Sequence, residues 1–183
     1  MTASNNPNGL RTVLPNAGGS FAVQGSEIFA NTIDNTCIAA NTIGNAQVAP
    51  NLIQTASVTL TPAQVVAMYA TPEPIIAAPA SGSSIVVLGA LCRYVYNTHA
   101  FTSGGNVQLQ YGTTNHAGGT TPLTVVADTV LQATSNSDTQ MQQAATTTTV
   151  TQATGLYASC ATAFAIASGG LSTVTFIVQY VVV

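Results

Sequence analysis

Two histidines, three cysteines and five carboxylates are the side chains with which this chain of 183 residues could perform acid–base, nucleophilic or metal chemistry. A catalytic triad would need His99 or His116 together with Asp128 or Asp138 and a serine, yet no Gly-x-Ser-x-Gly nucleophile elbow is present. The pattern favours surface histidines. We therefore expect a protein that is not an enzyme and has no catalytic residues.

The three cysteines stand far apart, so no local C-x-x-C pair indicates a zinc or redox site. We expect no metal and no cofactor. The first nine residues show neither the basic nor the apolar stretch of a secretory signal, so we expect synthesis in a cytoplasm with reduced thiols. An interchain disulfide through Cys37 is the alternative to a buried thiol there.

Charge is the most unusual feature of the composition. Charged residues make up 4% of the chain, against about 25% in an ordinary domain, and lysine is absent. Binding to phosphates or to anionic lipids needs a basic patch, so we expect neither nucleic acid nor membrane as a partner. The apolar residues 155–183 are interrupted by Gly169 and Gly170, which leaves no segment long enough to span a bilayer. A surface made of uncharged polar residues indicates a subunit of a larger assembly.

Between residues 25 and 58, Ile or Val recurs at every fifth position. A step of five matches neither the helix period nor one face of a strand, but it fits short extended pieces separated by bends. We interpret residues 25–58 as a trimerisation segment in which three parallel chains share an apolar axis. A single-chain β-helix and an extended arm anchored in a neighbour's groove are the alternatives. The predicted trimer interface consists of Ile28, Ile33, Ile38, Ile43, Val48, Ile53 and Val58.

Two regions flank this segment. Residues 1–24 are rich in Pro, Asn and Gly, and form an extended arm that we expect to lie on a partner surface, because alone it has little to bury. Residues 59–183 are predicted to form an all-β domain, an antiparallel β-sandwich of the jelly-roll kind. One short helix begins it, with Thr61 as N-cap and Pro62 at the first helical position. Alternating apolar residues between turn residues predict strands at residues 75–78, 84–97, 106–112, 123–132, 139–151, 155–167 and 172–182.

Turn-and-strand patterns in this domain resemble those of structural proteins of tailed bacteriophages. They are Leu60-Thr61-Pro62-Ala63-Gln64-Val65, Ala78-Pro79-Ala80-Ser81-Gly82, Tyr96-Asn97-Thr98 and Gln110-Tyr111-Gly112. The nearest family is that of the capsid decoration, or cement, proteins, and the five-residue repeat is similar to the shafts of phage fibres. The resemblance implies a homotrimeric cement subunit on the outer surface of the virion capsid, made in the host cytoplasm. Its partners would be itself and the major capsid protein. We predict that the arm contacts the capsid through Leu10, Arg11, Val13 and Leu14.

The alternative function is a fibre head or tail protein that binds a host receptor or glycan. Such a protein would need exposed aromatic residues, and the candidates are Tyr69, Tyr94, Tyr96, Phe101 and Tyr111. We interpret the threonine run at residues 146–151 as a solvated strand that uses threonine for its β-propensity, with a regular binding face for carbohydrate or ice as the alternative.

Overall fold

β-strands dominate the chain, and all the strand pairs described are antiparallel. The computed structural model describes residues 52–145 and 149–183. These findings confirm the all-β prediction. The strands are β1 (Gln54–Leu60), β2 (Glu73–Ile76), β3 (Ile85–Val95), β4 (Phe101–Ser103), β5 (Val107–Tyr111), β6 (Ser137–Met141), β7 (Leu156–Cys160), β8 (Phe164–Ile166) and β9 (Thr173–Val182).

Two sheets and one separate strand pair contain these strands. The main sheet has the order β1-β9-β3-β6, the second sheet has the order β2-β7-β5, and β4 pairs with β8. In β9, alternate residues Val174, Phe176, Val178 and Tyr180 are buried, as the predicted alternation requires. The sequence predicts a boundary between the repeat and the β domain after residue 58. β1 begins at Gln54, so residues 54–58 belong to the main sheet of the β domain.

One apolar core takes side chains from both sheets. Phe176 and Cys92 of the main sheet and Leu109 and Leu156 of the second sheet are fully buried in the same cluster. The Tyr111 hydroxyl on β5 donates a hydrogen bond of 2.8 Å to the backbone carbonyl of Ile85 on β3. This bond ties the two sheets together across the core.

Helix α1 (Pro62–Ala67) begins as the sequence predicts. Thr61 and Gln64 form a capping box, in which the Thr61 hydroxyl accepts from the Gln64 N–H and the Gln64 side chain accepts from the Thr61 N–H. Val65 and Met68 bury their side chains completely in the core. Among the described residues, no helix has the length and apolar character that crossing a membrane requires.

Three of the predicted strands differ from the structure. Residues 123–132 contain isolated bridges at Leu123 and Val126, followed by helix α2 (Asp128–Leu131), so the strand prediction is wrong there. Residues 155–167 divide into β7 and β8, because the chain bends at residues 161–163 and the Thr162 carbonyl accepts from Gly105 N–H at 3.1 Å. The strand predicted at residues 139–151 ends at Met141, and residues 149–151 are not in a strand.

Candidate interaction surface

Aliphatic side chains cover much of the outer face of the main sheet, meaning the side turned away from the core. None of them belongs to the core cluster, and Leu88 and Val95 are each 37% exposed. The solvent face of an antiparallel sheet is usually polar, so this face is a candidate contact surface. Its aliphatic residues are Val86, Leu88, Leu91 and Val95 on β3 and Ile177 and Val181 on β9.

One polar row crosses the same face. The hydroxyls of Thr59 and Thr175 are 2.8 Å apart, and Thr175 lies opposite Arg93. Arg93 donates to both carboxylate oxygens of Asp138, at 2.9 Å from Nε and 3.1 Å from Nη2. These hydrogen bonds lower the pKa of Asp138 and raise the pKa of Arg93. The guanidinium, the single Lys or Arg side chain among the described residues, is therefore already neutralised.

A shallow depression of about 370 Å³ lies beside this ion pair. Within the described residues, the Ser137 hydroxyl is buried without a hydrogen-bond partner. Because Arg93 is paired with Asp138, the depression offers no unpaired positive charge to an anion. Its lining consists of Arg93, Tyr94, Val95, Asn136, Ser137 and Asp138.

On the second sheet, a loop at residues 112–120 closes over the side of β5 that faces away from the core. Gln110 is fully buried under this loop. Its Oε1 accepts from Gly119 N–H at 3.2 Å and from Gln108 Nε2 at 2.9 Å. Its Nε2 donates to the carbonyls of Gly112 and Thr114. Hydrogen bonding inside a buried site thus fixes the shape of this loop.

His116 in the same loop stacks against Tyr69, which follows helix α1. The rings of Tyr69 and His116 lie 4.1 Å apart at an angle of 24°. His116 N–H donates to the Tyr69 carbonyl at 2.9 Å, and the neighbouring Ala117 N–H donates to the Ser159 hydroxyl at 3.0 Å. His116 and Ala117 both adopt positive φ angles, of 57° and 55°. The backbone is therefore held in an unfavourable region by these contacts.

The aromatic residues predicted for glycan binding divide into two groups. Tyr94, Phe101 and Tyr111 are at most 6% exposed and belong to the core, so their prediction as exposed ligand contacts is wrong. Tyr69 and Tyr96 are partly buried and can be reached from solvent.

The residues considered for chemistry have separate structural roles. Asp138 is paired with Arg93, and Asp128 accepts a hydrogen bond from Gln132. Among the described residues, no group of three or more His, Cys, Asp or Glu side chains could hold a metal ion. Burial raises the pKa of two free thiols, to about 12 for Cys92 and about 11 for Cys160. Thiols of this kind are poor nucleophiles at neutral pH.

Two residues of the predicted trimer interface are described. Val58 lies on β1 opposite Phe176 and packs partly against the core of its own chain. Ile53 directly precedes β1 and is 66% exposed. The other interface residues (Ile28, Ile33, Ile38, Ile43 and Val48), the capsid-contact residues (Leu10, Arg11, Val13 and Leu14) and Cys37 lie outside the described residues, and their roles stay predictions.

The aliphatic outer face of β3 was missed by sequence reasoning. Its signal is present in the sequence, since residues 85–92 are apolar without alternation, which is typical of a strand covered on both sides. No protein-family model, no curated protein and no solved structure matches the chain.

Proposed function

We propose that the chain is a virion structural protein, a homotrimeric cement subunit that stabilises the outside of a phage capsid. The observation that carries this proposal is the outer face of the main sheet, where aliphatic residues surround a neutralised ion pair. Apolar surface of this kind is favoured where another protein covers it. The resemblance to cement proteins points to the major capsid protein and further copies of this chain as the partners.

The proposal also covers the packing of the two sheets and the roles of residues 1–24 and 25–58. We propose that the two sheets form a β-sandwich of the jelly-roll kind, which is supported by their shared core and by the hydrogen bond from Tyr111 to Ile85. The arm at residues 1–24 and the repeat at residues 25–58 would link subunits to the shell and to one another. Each aliphatic side chain buried in such contacts contributes about 1.5–3 kcal/mol before ordering costs.

Two measurements on the whole protein test this function. Light scattering coupled to size-exclusion chromatography should give the mass of three chains, and a monomer at micromolar concentration would contradict the trimer. Gold-labelled antibody on intact particles should cover the head. Label confined to the tail would refute a cement role even if the protein is a trimer.

The alternative, a receptor- or glycan-binding fibre head, is supported by the partly exposed Tyr69–His116 stack, because aromatic rings can pack against sugar rings. A glycan array separates the two functions. A cement protein should bind no sugar on the array. Binding that is lost in a His116→Ala variant with unchanged thermal stability would favour the fibre head instead.

A further inference from the structure

The outer face of the main sheet has an apolar end close to the start of β1. Gln54 lies opposite Tyr180, so extending this register by one residue places Ile53 opposite Val181. Val181 in turn lies opposite Val86 on β3. Strand alternation puts Ile53 on the same side as the exposed Thr55, which is the outer face. Ile53, Val181 and Val86 therefore form one aliphatic row across three strands.

A fourth aliphatic residue extends this row. Val183 exchanges two backbone hydrogen bonds with Ser84, of 2.8 and 3.0 Å, and is 60% exposed. It lies two residues beyond Val181, hence on the same side of the sheet. None of the four residues belongs to the core cluster, and all four side chains are uncharged. We name this patch the apolar corner: Ile53, Val86, Val181 and Val183.

The five-residue repeat leads directly into the apolar corner. Five of its seven members lie in the 51 residues that precede the described region, Ile53 is the sixth and Val58 is the seventh. Because a step of five reverses the face within a strand, Val58 packs against the core while Ile53 points outward. The exposed member of the pair thus continues the apolar series of the repeat onto the surface of the sheet.

We propose that the apolar corner is a contact between copies of this chain, in which the corner of one subunit packs against the aliphatic repeat of a neighbouring subunit. The inference rests on the homotrimer of the proposed function. Ile53 is a member of both the repeat and the corner, so three repeats that share one axis would hold three corners near one another. Uncharged aliphatic side chains on both partners suit such a contact.

The test compares the full chain with Val181→Glu by analytical ultracentrifugation. The substitution places a carboxylate in the corner, and we expect the protein concentration at half-dissociation of the trimer to rise at least tenfold. Gln140→Glu is the matched control, since it adds the same charge to an exposed position of β6 on the same sheet. It should leave the half-dissociation concentration, the midpoint of the titration, unchanged. Circular dichroism checks that each variant is folded. If Val181→Glu fails to fold, the nearly isosteric Val181→Thr should shift the midpoint less, but in the same direction.

A cross-linking experiment gives an independent positive result. In a Cys37→Ser background, Ile53→Cys should form covalent dimers with a short bismaleimide, because Cys92 and Cys160 are buried and the one accessible thiol of each chain can be linked to one other chain. A wild-type trimer whose midpoint is unchanged by Val181→Glu would overturn the corner contact while leaving the trimer intact. A wild-type chain that is monomeric would overturn both. A variant that remains a trimer but yields no covalent dimer would likewise overturn the contact between copies.

Discussion

Replacing Gln110 by leucine should destabilise the domain strongly although it keeps the side-chain volume nearly constant. Leucine cannot replace the acceptor for Gly119 N–H or the donor to the carbonyls of Gly112 and Thr114. Thr114 is exposed and its carbonyl can be rehydrated, whereas Gly112 and Gly119 are partly buried. Each buried polar group left without a partner costs about 1–3 kcal/mol, so two of them predict a loss of about 2–6 kcal/mol.

Urea unfolding measures this loss, with every variant at the same protein concentration because the proposed trimer would make the apparent stability depend on concentration. Gln140→Leu is the control, because Gln140 is an exposed glutamine in β6. Its free energy of unfolding should change by less than about 0.5 kcal/mol. Equal effects of the two substitutions would refute the reasoning that the buried amide holds the loop.

In a Gln110→Glu variant, the free energy of unfolding should depend on pH and should fall, relative to wild type, as the pH rises. A buried carboxylate facing two carbonyls has its pKa raised in the folded state, because only the protonated form can donate to them. Stability relative to wild type is then highest below about pH 4 and is lost as the pH rises from there through the folded-state pKa. A variant that is relatively more stable at pH 7 than at pH 4 would contradict this assignment.

Three further predictions concern the core, a turn and a helix end. The thiols of Cys92 and Cys160, with pKa values raised to about 12 and about 11, should resist iodoacetamide at pH 8 until the protein unfolds, as peptide mass spectrometry would show. Gly104→Ala should lower the free energy of unfolding by about 1–3 kcal/mol more than Gly82→Ala. Both glycines have positive φ, but a Cβ at Gly104 would lie 2.3 Å from a phenylalanine ring atom, whereas nothing lies within 4 Å at Gly82. Thr61→Ala should lower the free energy of unfolding, measured with heat or urea, by about 1 kcal/mol. Thr61→Ser should keep most of the wild-type stability, because serine also caps the helix.

Local signals explain the parts of the fold that could be predicted. Helix α1 follows from a capping box and a proline within four residues, and β9 follows from the alternation of Val174, Phe176, Val178 and Tyr180. Residues 123–132 were predicted wrongly because six apolar residues suggested a strand, although Val126, Val130 and Leu131 have the spacing of a helical turn. Short helices of this kind are decided by packing rather than by pattern.

Long-range pairing explains what could not be predicted. The partner of β1 is β9, and nothing in the local pattern around Val58 selects that strand. The burial of Gln108 and Gln110 could not be predicted either. They alternate with Val107, Leu109 and Tyr111, and this pattern is typical of a strand with one face in solvent. The loop that covers them follows later in the sequence, and its conformation depends on their amide groups.

The position of β9 also determines when the domain can complete its folding. β9 lies between β1 and β3 in the main sheet, and the hydrogen-bonded pair Thr59 and Thr175 is 116 positions apart in the chain. Contacts over such distances make folding slow, because the loop-closure entropy is lost before the contact forms. During synthesis, β1 and β3 therefore lack the strand that lies between them until the ribosome has released Thr173–Val182. Until then, the nascent chain lacks a central strand of its main sheet, so the domain cannot be completed before β9 has emerged.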